Sequence, residues 1–331
     1  MHPYLYVVGG KQRSLRPMKA LLTKDWYDYE RGLILRLDTT SGTCTTELEY
    51  ESPPEVRPLG EPPILFKSGS LEDGRLYLCT QTEVITYEVP SLRQVGYISL
   101  PQFNDVHHVR RTRDGNLIVV NTGLDMVLKL SPDGTILKEW DVLQAPLWTR
   151  FSRDVDYRRV LTTKPHLAHP NHVFEIEGKV WATRFEQRDA ICVSDLGPRI
   201  QIGLERLHDG AVVGDRVYFT TVDGKIVVVR TGDLTVDRII DLQALEGLET
   251  LLGWCRGLLV DGPLLWVGFS RMRATRFREN VAWVKNSFKH YLGTHVFCYD
   301  MDAGQRVAQH VVEGAGLNAI FGLYPAPHPS Q

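Results

Sequence analysis

The chain has 331 residues, of which 43% are hydrophobic and 24% charged, a composition typical of a soluble globular protein of one or two domains. Its formal net charge is −2, from 38 basic and 40 acidic residues, so no global field favours a nucleic acid or an anionic membrane as partner. It contains neither a run of 18 apolar residues nor a secretory signal pattern, and we expect a cytoplasmic protein without a membrane partner.

Short strand-like segments dominate the chain, and helical periodicity is scarce. In chain order they are RLYLCTQ, EVITYEV, NLIVVNTG, MVLKLSP, KVWATRF, RVYFTTV, KIVVVRT, LLWVGFS and HVFCYDM. Most are rich in Val, Ile, Leu, Tyr and Thr and are bounded by Asp-Gly, Gly or Pro. Many short strands separated by turns indicate an all-β sandwich, barrel or propeller.

A repeated unit of strand, turn and strand selects the propeller. The five copies are ILFKSGSLEDGRLYL, VHHVRRTRDGNLIVV, NHVFEIEGKVWAT, HDGAVVGDRVYFTT and WCRGLLVDGPLLWVG. Two further strands follow each copy, which makes five four-stranded blades. The tail LNAIFGLYP supplies one inner strand, and the N-terminal segments PYLYVVGG, GLILRLDTT and CTTELEYE supply three more. We therefore predict a single domain over residues 1–331, a six-bladed β-propeller closed by pairing the C-terminal strand with the N-terminal strands.

The blade pattern also resembles a known group of propellers. The unit RTRDGNLIVVNTGLDMVLKLSPDGTILKEWDV is similar to blades of the NHL, SMP-30/gluconolactonase and strictosidine-synthase-like families. This resemblance spans nearly the whole chain but rests on the blade pattern, so it implies the fold rather than an activity.

One mouth of the central channel is predicted to collect polar side chains. Counting back from matching positions of the second strands predicts that the inner strands bring together Lys67, His108, His172, His208, Arg256 and Asn318. Successive side chains of a strand alternate in direction, so only one of the adjacent residues His107 and His108 is expected to face the channel.

Three long connections fall on the same face as these histidines. They are predicted as insertions at 9–32, 142–171 and 270–293, while the turns of the opposite face are tight. The aromatic residues expected to enclose a small-molecule substrate there are Trp26, Tyr29, Trp148 and Trp283. The same loops could instead form an interface between copies of the chain in a homo-oligomer.

Imidazoles that titrate near neutral pH suit proton transfer, which makes His108, His172 and His208 candidate catalytic residues. Lys67 and Arg256 would stabilise a developing negative charge. The remaining candidates for substrate binding are Asn121, Glu186 and Asn318. We therefore expect an enzyme, a lyase or dehydratase, that eliminates water from an oxygenated cyclic or aromatic metabolite of specialised metabolism.

The same three histidines, His108, His172 and His208, could bind a divalent transition metal such as Zn²⁺, Fe²⁺ or Mn²⁺. Lactonase-type propellers usually hold a divalent ion through Glu, Asn and Asp ligands, and the resemblance would imply such an ion here. Histidine occupies most of those positions, which argues against calcium, although Asn121, Glu186 and Asp223 could supply oxygen atoms. No nucleotide-binding motif occurs, so we expect no nucleotide cofactor.

The sequence is also compatible with two other functions. The same groups could activate water in a metal-dependent hydrolase, either a lactonase or an esterase. A non-enzymatic propeller that binds a ligand or protein through this face is the third alternative. Arylsulfotransferase-like propellers also use histidine at a channel mouth, but that similarity is confined to VHHVRRTRDGNLIVV.

Five widely spaced cysteines without a C-x-x-C pair argue against a disulfide framework and a structural zinc site. Cys79, Cys192 and Cys298 lie within apolar runs, which predicts small core residues.

Overall fold

The structure, a computed structural model, describes residues 2–13, 29–247, 250–271 and 290–329. Its strands form six four-stranded antiparallel sheets and one short two-stranded parallel pair. The predicted all-β, six-bladed propeller is confirmed.

Each sheet is one blade. The strands of each blade are given below from the channel axis outward. Blade 1 consists of β26 (Ala319–Pro325), β1 (Tyr4–Gln12), β2 (Tyr29–Asp38) and β3 (Cys44–Tyr50). Blade 2 consists of β4 (Gly69–Glu72), β5 (Arg75–Cys79), β6 (Val84–Glu88) and β7 (Arg93–Ile98). Blade 3 consists of β8 (Val106–Arg111), β9 (Leu117–Asn121), β10 (Met126–Leu130) and β11 (Ile136–Asp141).

The other three blades follow the same order. Blade 4 consists of β12 (Pro170–Ile176), β13 (Lys179–Arg184), β14 (Asp189–Cys192) and β15 (Arg199–Gln201). Blade 5 consists of β16 (Ala211–Val213), β17 (Arg216–Thr220), β18 (Lys225–Arg230) and β19 (Val236–Asp241). Blade 6 consists of β21 (Trp254–Asp261), β22 (Leu264–Ser270), β24 (His295–Asp300) and β25 (Gln305–Val311).

A few short elements complete the described chain. The parallel pair is β20 (Thr250–Leu251) with β23 (His290–Tyr291), and α1 covers Leu242–Glu246. Single 3₁₀ turns lie at Pro54–Val56, Thr122–Leu124, Tyr157–Arg159 and Glu313–Ala315. No helix among these elements is long and apolar enough to cross a lipid bilayer.

The ring closes as expected, because β26 pairs with β1 in antiparallel register from Leu5 opposite Pro325 to Gly10 opposite Ala319. This pairing joins the end of the chain to its beginning and uses the main-chain groups of an edge that would otherwise be open.

The hydrophobic core is divided among the six boundaries between blades. Each neighbouring pair of blades shares one large apolar cluster; Leu5, Leu35, Trp266 and Cys298, for example, pack together between blades 1 and 6. Corresponding clusters lie at the other five boundaries. Because successive residues of a strand point to opposite faces, each blade uses both faces for packing. The expectation of core positions for Cys79, Cys192 and Cys298 is confirmed, since all three are buried.

Substitution of Leu323 on β26 tests whether this strand closes the ring. It is 3% exposed in the cluster between blades 1 and 6, so Leu323→Ala should lower the free energy of unfolding by about 2–5 kcal/mol. Urea unfolding followed by tryptophan fluorescence measures the change. The control is Val311→Ala on the outer strand β25, where the side chain is 55% exposed and the expected change is within about 0.5 kcal/mol. Equal effects of the two substitutions would contradict a closing role for β26.

Candidate functional site

Register irregularities in the inner strands shape one end of the channel. In β8, Val106 lies opposite Asn121 and His108 opposite Val120, which leaves His107 as an extra residue. Similar shifts occur in β12, β21 and β26. A β-bulge of this kind changes the direction of the side chains that precede it. The expectation that only one of His107 and His108 approaches the channel is therefore wrong, because both are buried there and contact other blades.

This end of the channel, where the chain enters each inner strand, is called the entrance. Its central side chains are called the entrance cluster and are Lys67, Asp105, His107, His208 and Arg256. They come from blades 2, 3, 5 and 6.

A buried ion pair lies at the centre of the cluster. The Lys67 ammonium donates a hydrogen bond to Asp105, and the two residues are 1% and 6% exposed. Burial alone would raise the pKa of Asp105, but Lys67 and His107 hold it well below its ordinary value. Burial lowers the pKa of Lys67, and the Asp105 carboxylate opposes that shift. The carboxylate is therefore ionised, and it compensates a cation that burial would otherwise discharge.

His107 contacts both members of this pair. Its Nδ1 lies 2.7 Å from the carbonyl oxygen of Asp105 and so is assigned as the protonated nitrogen. Its Nε2 is buried and has no hydrogen-bond partner among the residues that the structure describes. The His107 ring lies 6.3 Å from the His208 ring, centroid to centroid, across the entrance.

His208 forms a dyad with the residue that follows it. Its Nδ1 lies 3.5 Å from Oδ1 of Asp209, and both side chains are almost completely buried. The other oxygen of Asp209 accepts hydrogen bonds from the Thr220 hydroxyl at 2.6 Å and from the amide of Gly257 at 3.0 Å. Gly257 has a φ of 78°, a left-handed conformation that favours glycine. The carboxylate is thus fixed behind the imidazole.

Charges around His208 act on its pKa in opposite directions. Burial, reinforced by the nearby Arg256 guanidinium, lowers the pKa of His208 below its ordinary value, while the Asp209 carboxylate raises it. The Arg256 guanidinium lies 4.7 Å from the ring centroid of Phe321 on the closing strand. His208 is therefore neutral at neutral pH and lies near two cations, Lys67 and Arg256.

His108 and His172 lie further along their strands, away from the entrance. Their rings stack with centroids 3.6 Å apart. Nε2 of His108 lies 3.0 Å from the carbonyl oxygen of Gly69, and its Nδ1 accepts the amide of Val173 at 3.4 Å, so both nitrogens are engaged. The two rings line a cavity of about 330 Å³ that extends toward the opposite face. Thus, of the three histidines expected in one ring, only His208 belongs to the entrance cluster.

The metal ligands suggested by the sequence do not converge. Among the residues described, one group of His, Cys, Asp or Glu side chains brings its ligand atoms close together, and it is Asp105, His166 and His169 rather than the three histidines. Both amide ends of Asn121 bond to the backbone, at Asn104 and Gln102. Glu186 is exposed, and Asp223 pairs with Lys225. An oxygen-rich calcium site therefore does not fit these residues.

The other candidate binding residues are dispersed. Tyr29 is buried in an apolar cluster with Leu65 and Phe321, and Trp148 donates to Glu139 of the outer strand β11. Asn318 accepts from the amide of Gln12 at the end of β1. Trp26 and Trp283 lie outside the described residues, as does most of the predicted insertions 9–32 and 270–293.

Sequence reasoning missed Asp105 and Asp209 and left His107, His166 and His169 without a role. Two local signals could have found them. An aspartate precedes a histidine by two residues in DVHH and directly follows one in HDG, and KPHLAHP places two histidines three residues apart in a loop flanked by prolines.

Comparisons with known proteins show the fold and no family. No protein-family model matches the chain, and no curated protein matches its sequence significantly. A crystal structure of a protein of unknown function from Bacteroides caccae is similar over 99% of this chain and 100% of that one, at 12% identity and a TM-score of 0.64. A propeller chain from a nidogen/laminin complex aligns over 96% of this chain and 97% of its own, at 9% identity and a TM-score of 0.57.

Virginiamycin B lyase from Staphylococcus aureus aligns over 71% of this chain and 69% of its own, at 16% identity and a TM-score of 0.43.

The buried histidines should make stability depend on pH. Burial lowers the pKa of His172 to about 3, whereas the unfolded residue titrates near ~6.5. Between these values the unfolded chain binds more protons, so the free energy of unfolding falls as the pH falls below ~6.5. His172→Gln should reduce the slope of that decline by up to about 1.4 kcal/mol per pH unit.

Urea unfolding at several pH values measures both slopes. A pH-independent loss of stability in the variant does not affect the comparison. An unchanged slope would show that His172 titrates normally in the folded protein.

Proposed function

We propose that the entrance cluster catalyses acid–base elimination on a small oxygenated metabolite, with His208 as the group that moves the proton. The observation that carries this proposal is the buried His208–Asp209 dyad beside two cationic side chains, Lys67 and Arg256. A base, an orienting carboxylate and groups that stabilise negative charge are the parts that such a reaction requires.

The dyad supplies the base. Nδ1 lies 3.5 Å from Oδ1 of Asp209 without a hydrogen bond, and neither ring nitrogen has a hydrogen-bond partner in the described part of the chain. Because Nδ1 is the nitrogen nearer the carboxylate, we place the proton there and the lone pair on Nε2. The carboxylate stabilises the imidazolium that forms when Nε2 takes a proton. The 3.5 Å separation of Nδ1 and Oδ1 is long for a hydrogen bond, and we expect it to shorten when substrate binds.

The two cations define the class of substrate. Removal of a proton from the carbon next to a carbonyl or carboxylate creates an enolate, whose negative oxygen Lys67 and Arg256 would stabilise. The electron pair of the C–H bond then forms a carbon–carbon double bond as the bond to a hydroxyl group breaks. His208 passes its proton to the departing oxygen, so that water leaves and neither oxidant nor reductant is needed.

Several finer predictions accompany this proposal. The partner is a small molecule rather than a nucleic acid or a membrane, and the reaction takes place in the cytoplasm. We also propose that the chain is related to the NHL, SMP-30/gluconolactonase and strictosidine-synthase-like families, which its blades resemble. His172 and His108 support the channel wall beneath the reacting group.

Substitution of the dyad tests the proposal. A panel of 3-hydroxycarboxylates and β-hydroxy lactones is incubated with the protein in D₂O, and loss of water and deuterium exchange at the α-carbon are followed by NMR. His208→Gln should reduce turnover by about 10²-fold or more, and Asp209→Asn by a smaller factor. The control is His295→Gln, which replaces a buried histidine of blade 6 and should leave turnover unchanged. Wild-type turnover in His208→Gln would contradict the proposal.

The acid limb of the pH–rate profile provides a second test. Since His208 must be neutral and its pKa is lowered, kcat/KM should stay constant down to pH ~6.5 and fall only at lower pH. Asp209→Asn removes the charge that raises this pKa, so the limb should move to lower pH. Arg256→Gln removes a charge that lowers it, so the limb should move to higher pH. Movement in the same direction in both variants, or in neither, would exclude His208 as the titrating base.

A further inference from the structure

A second group of titratable residues adjoins the entrance cluster. The loop into blade 4 carries His166 and His169, and the loop into blade 3 carries Asp105. One ligand atom from each of the three lies within 4.8 Å of the others. The elimination proposed above assigns no role to the two histidines.

The two imidazoles are spaced as neighbouring ligands of one ion. Nδ1 of His166 lies 2.8 Å from Nδ1 of His169. Two nitrogens that each lie about 2.1 Å from a metal and subtend a right angle there are about 3.0 Å apart, and at a tetrahedral angle about 3.4 Å. The observed separation is close to the right-angled arrangement, so a small movement of either ring would admit an ion.

The hydrogen bonds around His166 determine which of its ring nitrogens keeps the lone pair that a metal would bind. The Thr163 hydroxyl donates a hydrogen bond to the carbonyl of Gly123, so toward Nε2 of His166, 3.3 Å away, it acts as an acceptor. Nε2 then carries the proton, and the lone pair is on Nδ1, the atom that faces His169. Metal-bound histidines are usually held in this way by a partner on the other ring nitrogen.

Asp125 fixes the loop that carries both histidines. Its carboxylate accepts the backbone amides of Leu167, Ala168 and His169 at 2.8–3.1 Å and also bonds to Arg150. The side chain is almost completely buried, and three hydrogen bonds from one segment leave the backbone between the histidines little freedom. The two rings are therefore positioned by the fold, not only by their contact with each other.

The backbone at two of the three residues is strained. Asp105 and His169 both have a φ of 52°, a left-handed conformation that non-glycine residues rarely adopt. Such strain persists where the surrounding structure enforces it.

We propose that Asp105, His166 and His169 bind one divalent transition-metal ion at the channel entrance, with further positions open to water or substrate. Two imidazoles and one carboxylate suit Zn²⁺, Fe²⁺, Mn²⁺ or Co²⁺ better than the oxygen-seeking ions Ca²⁺ and Mg²⁺. The Asp105 carboxylate would be shared between Lys67, which already bonds to Oδ1, and the ion. Binding does not depend on the elimination reaction, so either proposal can fail without the other.

The alternative is a metal-free pair in which Nδ1–H of His169 donates to Nδ1 of His166. The His169 proton would then have to leave for an ion to bind, and binding would release it. The two states differ in a quantity that can be measured directly, the uptake of metal by the purified protein.

Co²⁺ is the probe, because its visible absorption reports its coordination. The untagged 331-residue chain is stripped with a chelator, dialysed and titrated with CoCl₂, and bound metal is counted by elemental analysis. We expect one Co²⁺ per chain with visible bands from nitrogen and oxygen ligands. His166→Gln and His169→Gln should each weaken Co²⁺ binding by more than 10-fold. The matched control is His172→Gln, three residues after His169, which should bind Co²⁺ as the wild type does.

Thr163→Val keeps all three ligands but removes the partner of Nε2, and it should weaken Co²⁺ binding by about 10-fold. This variant decides the question if a ligand variant does not fold. The proposal is overturned if the wild type takes up no stoichiometric Co²⁺, or if Co²⁺ binding is unchanged in both ligand variants or in Thr163→Val.

Discussion

Closure of the ring by β26 and β1 is the constraint on which the rest of the molecule depends. It fixes six inner strands around one axis, so a side chain near the axis meets residues of other blades and not only of its own. Lys67 of blade 2 can pair with Asp105, which leads into blade 3, and His107 of blade 3 can face His208, which leads into blade 5, because no blade can turn away from the axis. The entrance cluster is thus a consequence of the ring and not of any one sheet.

The same geometry makes the entrance costly to maintain. Burial removes Lys67, Asp105 and Asp209 from water. The lowered pKa values of the two carboxyls show that their contacts outweigh this penalty, whereas the lowered pKa of Lys67 shows that the ion pair with Asp105 compensates only part of it. Nitrogens of His107 and His208 remain without hydrogen-bond partners among the described residues. Apolar packing between blades, which is extensive at all six boundaries, supplies the stability that allows such a polar centre. This division of roles is typical of functional sites, where local stability is lower than elsewhere.

The fold could be predicted because blades differ from most sheets in burying both faces, which produces continuous apolar segments at a regular period. Placement of Lys67, His208 and Arg256 at one end followed from the same period. The bulges could not be predicted, since one extra residue such as His107 changes neither composition nor period. Contacts made by loops were equally inaccessible. Nothing in the sequence indicates that Trp148 packs toward the outer strand β11, or that Asp125 of blade 3 holds the loop into blade 4.

The bulges at the inner ends of the strands have an evolutionary consequence. After its bulge, each of the inner strands β8, β12 and β21 pairs regularly with its neighbour, whereas at the bulge a single residue decides which side chain faces the axis. Deletion of one residue there would bring a different neighbour into the channel while the strands beneath kept their partners. Relatives of this chain could therefore acquire new entrance chemistry through changes in strand length alone, with every packed boundary between blades left as it is.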